Sequence, residues 1–214
     1  MYLEPIFASE DIGKTLPEEL ALFKAVDGLW RITMDACVEN PLLHDLVDRE
    51  NINQQFLEAN KNLTEIQRHL NDYLDDKCQS FPRFYFLADD DLLKILAQTK
   101  DPTLVQPHMS KCFEGIKKVV FEGNGIVTGM VSAEGEVVSF TKPIDVNEGE
   151  KKGNVEKWML EIEEMMKTTL RDMVKEGLAD YEVTPREVWL EKWAGQIVLA
   201  CDQIQWTTGA AAGI

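Results

Sequence analysis

This 214-residue chain lacks several features at once, and each absence removes a class of function. No apolar run approaches the ~20 residues that cross a bilayer, so no membrane-spanning helix is expected. The first residues, MYLEPIFASEDIGK, show no basic stretch followed by an apolar block, which argues against a secretory leader. Positive charge is scarce: 22 Lys and Arg face 38 Asp and Glu, a net charge of −16. Nucleic acid and anionic membrane both demand clustered cations that release counterions, so neither is expected as a partner. Cysteine is sparse and unpaired. Cys37, Cys78, Cys112 and Cys201 are far apart with no CxxC, and free thiols in a reducing, cytoplasmic setting follow.

Catalytic patterns are missing too. Gly13-Lys14-Thr15 copies the end of a phosphate-binding loop, but Ala8 stands where the first glycine belongs and Leu16-Pro17 follows where the helix should start. His108 and Cys112 lie four apart, one helical turn, yet His44 and His69 offer them no near companion for a metal. Asp89-Asp90-Asp91 has neither the alternating spacing nor the closing Glu of a calcium loop. Glu161, Glu163 and Glu164 fall opposite an apolar stripe and read as a solvated face. No Gly-x-Ser-x-Gly and no Cys/His dyad is present, so autonomous catalysis, and with it any catalytic, cofactor-binding or metal-binding residue, is not expected.

What is present is an ordinary globular balance, 44% hydrophobic and 28% charged, patterned mainly for helix. Residues 1–16 read as an irregular lead-in. Pro17-Glu18-Glu19 opens a helix whose inward positions are Leu20, Phe23, Val26, Trp30 and Met34, ending before Asn40-Pro41. Leu42–Val47 is a short amphipathic piece. Ile52, Phe56, Ala59, Leu63, Ile66, Leu70 and Tyr73 form a heptad seam over 51–76, read as a bundle seam inside one domain.

The chain is organised around Phe81–Ile116. Phe81-Pro82-Arg83-Phe84-Tyr85-Phe86-Leu87 reads as a short strand or buried extended connector. The three Asp residues cap a helix carrying Leu92, Leu93, Ile95 and Leu96, stopped by Asp101-Pro102. A second helix begins near Pro107, with Met109, Cys112, Phe113, Ile116 and Val119 inward, and ends before Gly123.

Ile126–Val131 and Glu136–Phe140 flank a Ser132–Gly135 turn, a hairpin signal. Asp145–Gly153 is a polar loop. Asn154 caps a long helix to about Ala179, inward at Val155, Trp158, Met159, Ile162, Met165, Met166, Leu170, Met173 and Val174. At ~1.5 Å per residue it runs roughly 40 Å. Thr184-Pro185-Arg186-Glu187 matches a capping box for a final helix through Trp189, Trp193, Ile197 and Cys201 to Trp206. Gly209–Ile214 is featureless. The expected fold is mainly α, an elongated helical-bundle array with a small β-hairpin near 126–140. Its segments are a helical bundle (1–122), hairpin and loop (123–153), long helices (154–207) and an appended tail (208–214).

FPRFYFLADDDLLKILAQTKDPTLVQPHMSKCFEGIKKV resembles the linker region of dynein heavy chains. Further blocks agree in order: Ala8–Ile12 with Leu16-Pro17, Val26-Asp27 with Trp30-Arg31, Ile66-Gln67-Arg68 with Leu70 and Tyr73-Leu74, Ser132–Glu136, Gly153–Trp158, and Trp193–Leu199 with Gln203-Ile204 and Trp206-Thr207. The QTKDP and VQPH wording is similar to axonemal rather than cytoplasmic heavy chains. Ala194 departs from the proline common in the family, and Ala88-Asp89 from Ser-Asn.

The resemblance implies the C-terminal portion of the linker, just before the first AAA+ module. In that family the linker is a lever whose bending with the ATP cycle makes the power stroke of a minus-end-directed microtubule motor. ATP and Mg would then be bound by the downstream ring, not by this fragment. The implied partners are that ring and other dynein subunits, with the microtubule reached only through the parent's stalk. The implied location is the cytoskeleton of a cilium or flagellum. A lever must be stiff, and Phe84, Phe86, Trp158, Trp189 and Trp193 are the candidates for its rigid core. The alternative is a helical adaptor that binds a partner along its heptad or Met-rich face.

Overall fold

The computed structural model describes residues 4–7, 10–47, 51–97, 101–123 and 125–213. Ala8-Ser9, the Gln98-Thr99-Lys100 part of the QTKDP block, Asn124 and Ile214 lie outside the described residues. The fold is mainly helical with a small antiparallel sheet, and it divides into two compact units, Met1–Thr99 and Lys100–Ile214. The boundary cuts the Phe81–Ile116 stretch: its aromatic run belongs to the first unit and its VQPH and KCFEGI blocks to the second. The seams expected at 122/123 and 153/154 both fall inside the second unit.

In the first unit the lead-in is helical rather than irregular, as α1 (Glu4–Phe7) and α2 (Glu10–Thr15). Two buried side chains tie it down. Phe7 stacks on Phe23 at 5.3 Å between ring centroids, and Ile12 is fully buried. Next come α3 (Pro17–Glu39), α4 (Leu43–Val47) and α5 (Ile52–Ser80), with α3 packed along α5.

The inward face of α3 differs from the expected stripe. Leu20, Phe23 and Val26 are half-buried, whereas Trp30 and Met34 are exposed. Glu19 and Thr33 take buried positions instead, because each is satisfied. Thr33 Oγ1 donates to the Leu29 carbonyl at 2.7 Å, and Glu19 Oε1 lies 2.5 Å from His69 Nδ1 on α5. Arg68 Nη2, which can only donate, sits 2.9 Å from His69 Nε2. His69 therefore accepts there and carries its proton on Nδ1 toward Glu19.

On α5 the heptad seam is buried at Ala59, Ile66 and Leu70, then continues at Leu74 and Cys78 rather than Tyr73. A straight helix drifts ~20° per heptad against a 3.5-residue repeat, so the buried line moves onto four-residue steps. Phe81–Leu87 is neither strand nor extended connector. Pro82–Phe86 form a 3-10 turn, whose period of three puts Phe81, Phe84 and Leu87 on one buried face. The α6 helix (Asp89–Ala97) follows, with Asp89, Asp90 and Asp91 in its first turn and Leu92, Leu93, Ile95 and Leu96 buried as expected.

The second unit opens with a 3-10 turn (Pro102–His108) and α7 (Met109–Cys112). Asp101 caps the turn, accepting from the Thr103 amide at 2.9 Å. Met109, Cys112, Phe113 and Val119 are buried, as the helical reading required, but the helix stops at Cys112. Lys118–Glu122 is instead strand β1, pairing antiparallel with β2 (Ile126–Val131), which pairs with β3 (Val137–Asp145). The expected hairpin is thus two strands of a three-stranded sheet, ordered β1-β2-β3.

At the irregularity between Val127 and Gly129 the backbone of Val138 comes so close that a Cβ on Gly129 would meet its carbonyl oxygen at 2.6 Å. Both edges of the sheet are met by side chains. Gln106 donates to the Val119 carbonyl (2.7 Å) and accepts its amide (3.0 Å), while Thr169 Oγ1 accepts the Thr141 amide (3.2 Å).

A turn holding Val146 and a 3-10 segment, Gly149–Lys151, lead to α8 (Val155–Tyr181). Asn154 is its N-cap, but the amide of that side chain donates back to the Glu150 carbonyl rather than capping. Val155, Trp158, Met159, Ile162 and Met166 are buried along the expected stripe, and α8 packs on β3. The final helix is two: α9 (Arg186–Lys192) and α10 (Gly195–Ala212). The expected capping box is not made. Pro185 is the N-cap, and Thr184 Oγ1 instead donates to Asp180 Oδ1 at 2.7 Å.

Candidate functional site

The five aromatic candidates have unlike surroundings. Phe84 is fully buried and meets Phe81 edge-on at 4.9 Å. Trp158 and Trp189 are buried, and Trp193 is half-buried. Phe86 is 70% exposed and lies outside the core. The reason is periodicity: a strand would have put Phe84 and Phe86 on one face, whereas the 3-10 turn places them on different faces.

Trp189 and Trp193 belong to a joint that ties α8, α9 and α10 together. Its centre is apolar: Trp189, Ile197 and Cys201 are buried, with Leu170, Met173, Val174, Leu178 and Val198 packed around them. Two local features let α10 approach α8. Gly177 has no side chain where a Cβ would lie 3.1 Å from both Cys201 Sγ and Ile197 Cγ2. Its carbonyl, and that of Val174, face the joint: Trp189 Nε1 donates to Gly177 O at 3.0 Å and Cys201 Sγ to Val174 O at 3.6 Å. The edge of Tyr181 meets Trp189 at 5.1 Å, and the Arg186 guanidinium lies over both rings at 4.8 and 4.9 Å while pairing with Asp202 on α10.

Asp180, at the end of α8, is the polar hub. It accepts from Thr184 Oγ1 (2.7 Å), Lys192 Nζ (2.9 Å) and Trp193 Nε1 (2.9 Å), so one carboxylate touches the turn, α9 and the residue beyond it. The Thr184, Lys192 and Trp193 hydrogen bonds, in that order, hold its pKa down to about 2. A second carboxylate fixes the start of α10 from the sheet. Glu136, on the turn between β2 and β3, accepts the Gly195 amide at 2.8 Å, favourable at a positive helix end.

Asp180, Gly177, Arg186 and Glu136 were not among the sequence candidates. Gly177 carried a weak sequence signal, an isolated glycine inside a helical pattern, while Arg186 and Glu136 lay in stretches read as a capping box and a turn block.

Gly13-Lys14-Thr15 closes helix α2 rather than forming a loop. Among the described residues, no group of three or more His, Cys, Asp and Glu is placed to hold a metal ion. Glu161 pairs with Lys151 and Glu163 with Lys167, both at 2.8 Å, while Glu164 is exposed. Cys78, Cys112 and Cys201 are buried and outside any disulfide, and burial raises the pKa of Cys78 and of Cys201. What the described geometry offers is a joint closed by apolar packing and side-chain hydrogen bonds. No helix of the described residues is long and apolar enough to cross a membrane.

Residues 1–177 match the family model described as dynein heavy chain, N-terminal region 2. The chain is 44% identical over 207 residues to dynein axonemal heavy chain 3 of Mus musculus, covering 97% of this chain and 5% of that protein. It is 40% identical over 211 residues to dynein axonemal heavy chain 1 of Homo sapiens, covering 99% of this chain and 5% of that one. With dynein axonemal heavy chain 12 of Homo sapiens the identity is 39% over 208 residues, 97% of this chain and 7% of the relative. The chain therefore spans only a small part of the length of the curated relatives it matches.

Proposed function

The chain belongs to the dynein heavy-chain family, within its N-terminal region 2, and from that premise we propose that it is a segment of the linker, the lever of an axonemal motor. In this reading the piece carries force and performs no catalysis. ATP and Mg are bound by the AAA+ ring of the parent chain, and the microtubule is met only through the parent's stalk. The working location is the axoneme of a cilium or flagellum, within a dynein complex.

The observation that carries the reading is the joint at the end of α8. A lever must keep its angles under load, and load is resisted where helices are locked by several independent contacts. Here the Trp189 plug, the Asp180 hub and the Glu136 cap each bind a different part of α9 or α10. The adaptor reading draws less support. The α5 seam is buried at Ala59, Ile66 and Leu70 and the methionine stripe at Met159 and Met166, while Phe56, Leu63, Tyr73, Met165 and Met173 are half-buried, so much of both faces is already used in packing.

The test uses the parent heavy chain. Trp189→Ala is expected to slow microtubule gliding while ATP turnover continues, because the ring still cycles and the lever yields. Gliding at the parental speed, with hydrogen exchange showing the joint loosened, would overturn the reading.

A further inference from the structure

The turn after α8 holds a feature that the lever reading leaves unused. Of the eight prolines, only Pro185 follows a hydroxyl-bearing residue, Thr184. The pair sits at a surface turn: Val183 is 79% exposed, Glu182 and Pro185 are exposed, and Thr184 is half-buried. Pro185 itself is extended, with φ −53° and ψ 138°. Proline-directed protein kinases take a Ser or Thr hydroxyl followed by proline at such exposed turns.

The hydroxyl is also a structural donor. Thr184 Oγ1 donates to Asp180 Oδ1, and the other oxygen of that carboxylate holds Lys192 and Trp193. The charged groups nearby include Asp180 and Lys192, with Glu182, Arg186 and Glu187 flanking in the chain, and Arg186 is engaged with Asp202 and with the Tyr181 and Trp189 rings.

We propose that Thr184 is a phosphorylation site for a proline-directed kinase, and that its modification releases α9 and the start of α10 from the end of α8. In the transfer, Thr184 Oγ attacks the γ-phosphorus of a nucleoside triphosphate. The new O–P bond forms as the bond from that phosphorus to the β–γ bridging oxygen breaks. The nucleoside diphosphate leaves with the electron pair, and the hydroxyl proton passes to the kinase's base. The product lacks the O–H that Asp180 accepts. It places about −1.5 to −2 charges beside an ionised carboxylate and the negative end of α8, where a phosphate disrupts. Lys192 is drawn toward the phosphate, and Trp193 loses its fixed acceptor. The inference concerns the joint itself and holds whether or not the joint serves a lever.

The experiment treats the 214-residue chain with a proline-directed kinase and Mg-ATP, locates phosphate by peptide mass spectrometry, and follows hydrogen exchange across 180–195. Expected are one phosphate on Thr184, none there in Thr184→Val, and exchange in 186–193 faster by about tenfold. In Asp180→Asn, which lacks the opposing charge, phosphorylation is expected to change exchange far less. Three results overturn the proposal: Thr184 unlabelled while a short peptide of the same Thr-Pro sequence is labelled, Thr184 labelled with exchange unchanged, or Asp180→Asn responding as fully as the parent sequence.

Discussion

Trp193 Nε1 donates to Asp180 Oδ2 at 2.9 Å, across thirteen residues and the whole of α9. One indole and one carboxylate thus close a loop that begins at the end of α8 and ends just before α10. Three donors converge on the anion and none on the protonated acid, so the charged form is favoured and the pKa falls to about 2. A depressed carboxyl contributes stability that is fully present above its unfolded pKa near 3.9 and is lost as pH falls through its folded value. The contribution of Asp180 should therefore be constant down to about pH 4 and fade between about 4 and 2. A carboxyl-carbon NMR titration should place Asp180 at about 2 and move it upward in Thr184→Val. A midpoint near 3.9 in the parent would contradict the three-donor geometry.

Phe84 and Phe86 differ by two residues and should differ sharply in energy. Phe84 is fully buried against Phe81, so Phe84→Ala is expected to cost ~3–5 kcal/mol. Phe86 is 70% exposed, and Phe86→Ala should stay within about 0.5 kcal/mol of the parent. Urea unfolding of the two variants checks both. Equal losses would mean that Pro82–Phe86 is extended rather than a 3-10 turn.

Gly177 tests how tightly α10 lies on α8. Alanine would gain about 1 kcal/mol of helix propensity. Its Cβ would also meet Cys201 Sγ and Ile197 Cγ2 at 3.1 Å, and both neighbours are buried with little room to retreat. Overpacking of this kind costs ~1–3 kcal/mol, so Gly177→Ala should be neutral to destabilising and Gly177→Val clearly worse. Adding Cys201→Ala makes room, and a double-mutant cycle should show favourable coupling between the two sites. Strict additivity would rule out the contact.

Ala194 sits between α9 and α10 with φ −59° and ψ 144°, the conformation that proline prefers. The preceding Trp193, with φ −104° and ψ 147°, is already extended as a residue before proline must be. Ala194→Pro should stabilise by ~0.4–1 kcal/mol through the unfolded state. A lowered thermal midpoint would show that the break between the helices needs a different backbone.

Much of this architecture could be read from periodicity. The long helices α3, α5 and α8 start and stop near their expected residues, and the stripes Ala59–Ile66–Leu70 and Val155–Trp158–Met159–Ile162 are buried. Those patterns are local: a helix records its buried face in its own spacing. The ordered blocks around FPRFYF and VQPH pointed to the dynein heavy chains for a similar reason, since a linear run of residues carries them whole.

Tertiary structure decided the rest, because there the deciding partner lies far along the chain. Lys118–Glu122 became a strand once β2 stood beside it to accept its hydrogen bonds. Glu19 could be buried only because His69, fifty residues on, faces it. Phe86 turned outward when Pro82 led a 3-10 turn instead of a strand. Above all, Asp180 looks ordinary in the sequence, and Gly177 shows there only as an isolated glycine inside a helical pattern. They acquire their roles only where α9 and α10 fold back onto α8 and bring Trp193 and Cys201 to them, since a hydrogen bond or a close approach depends on distances in space that residue spacing alone does not set.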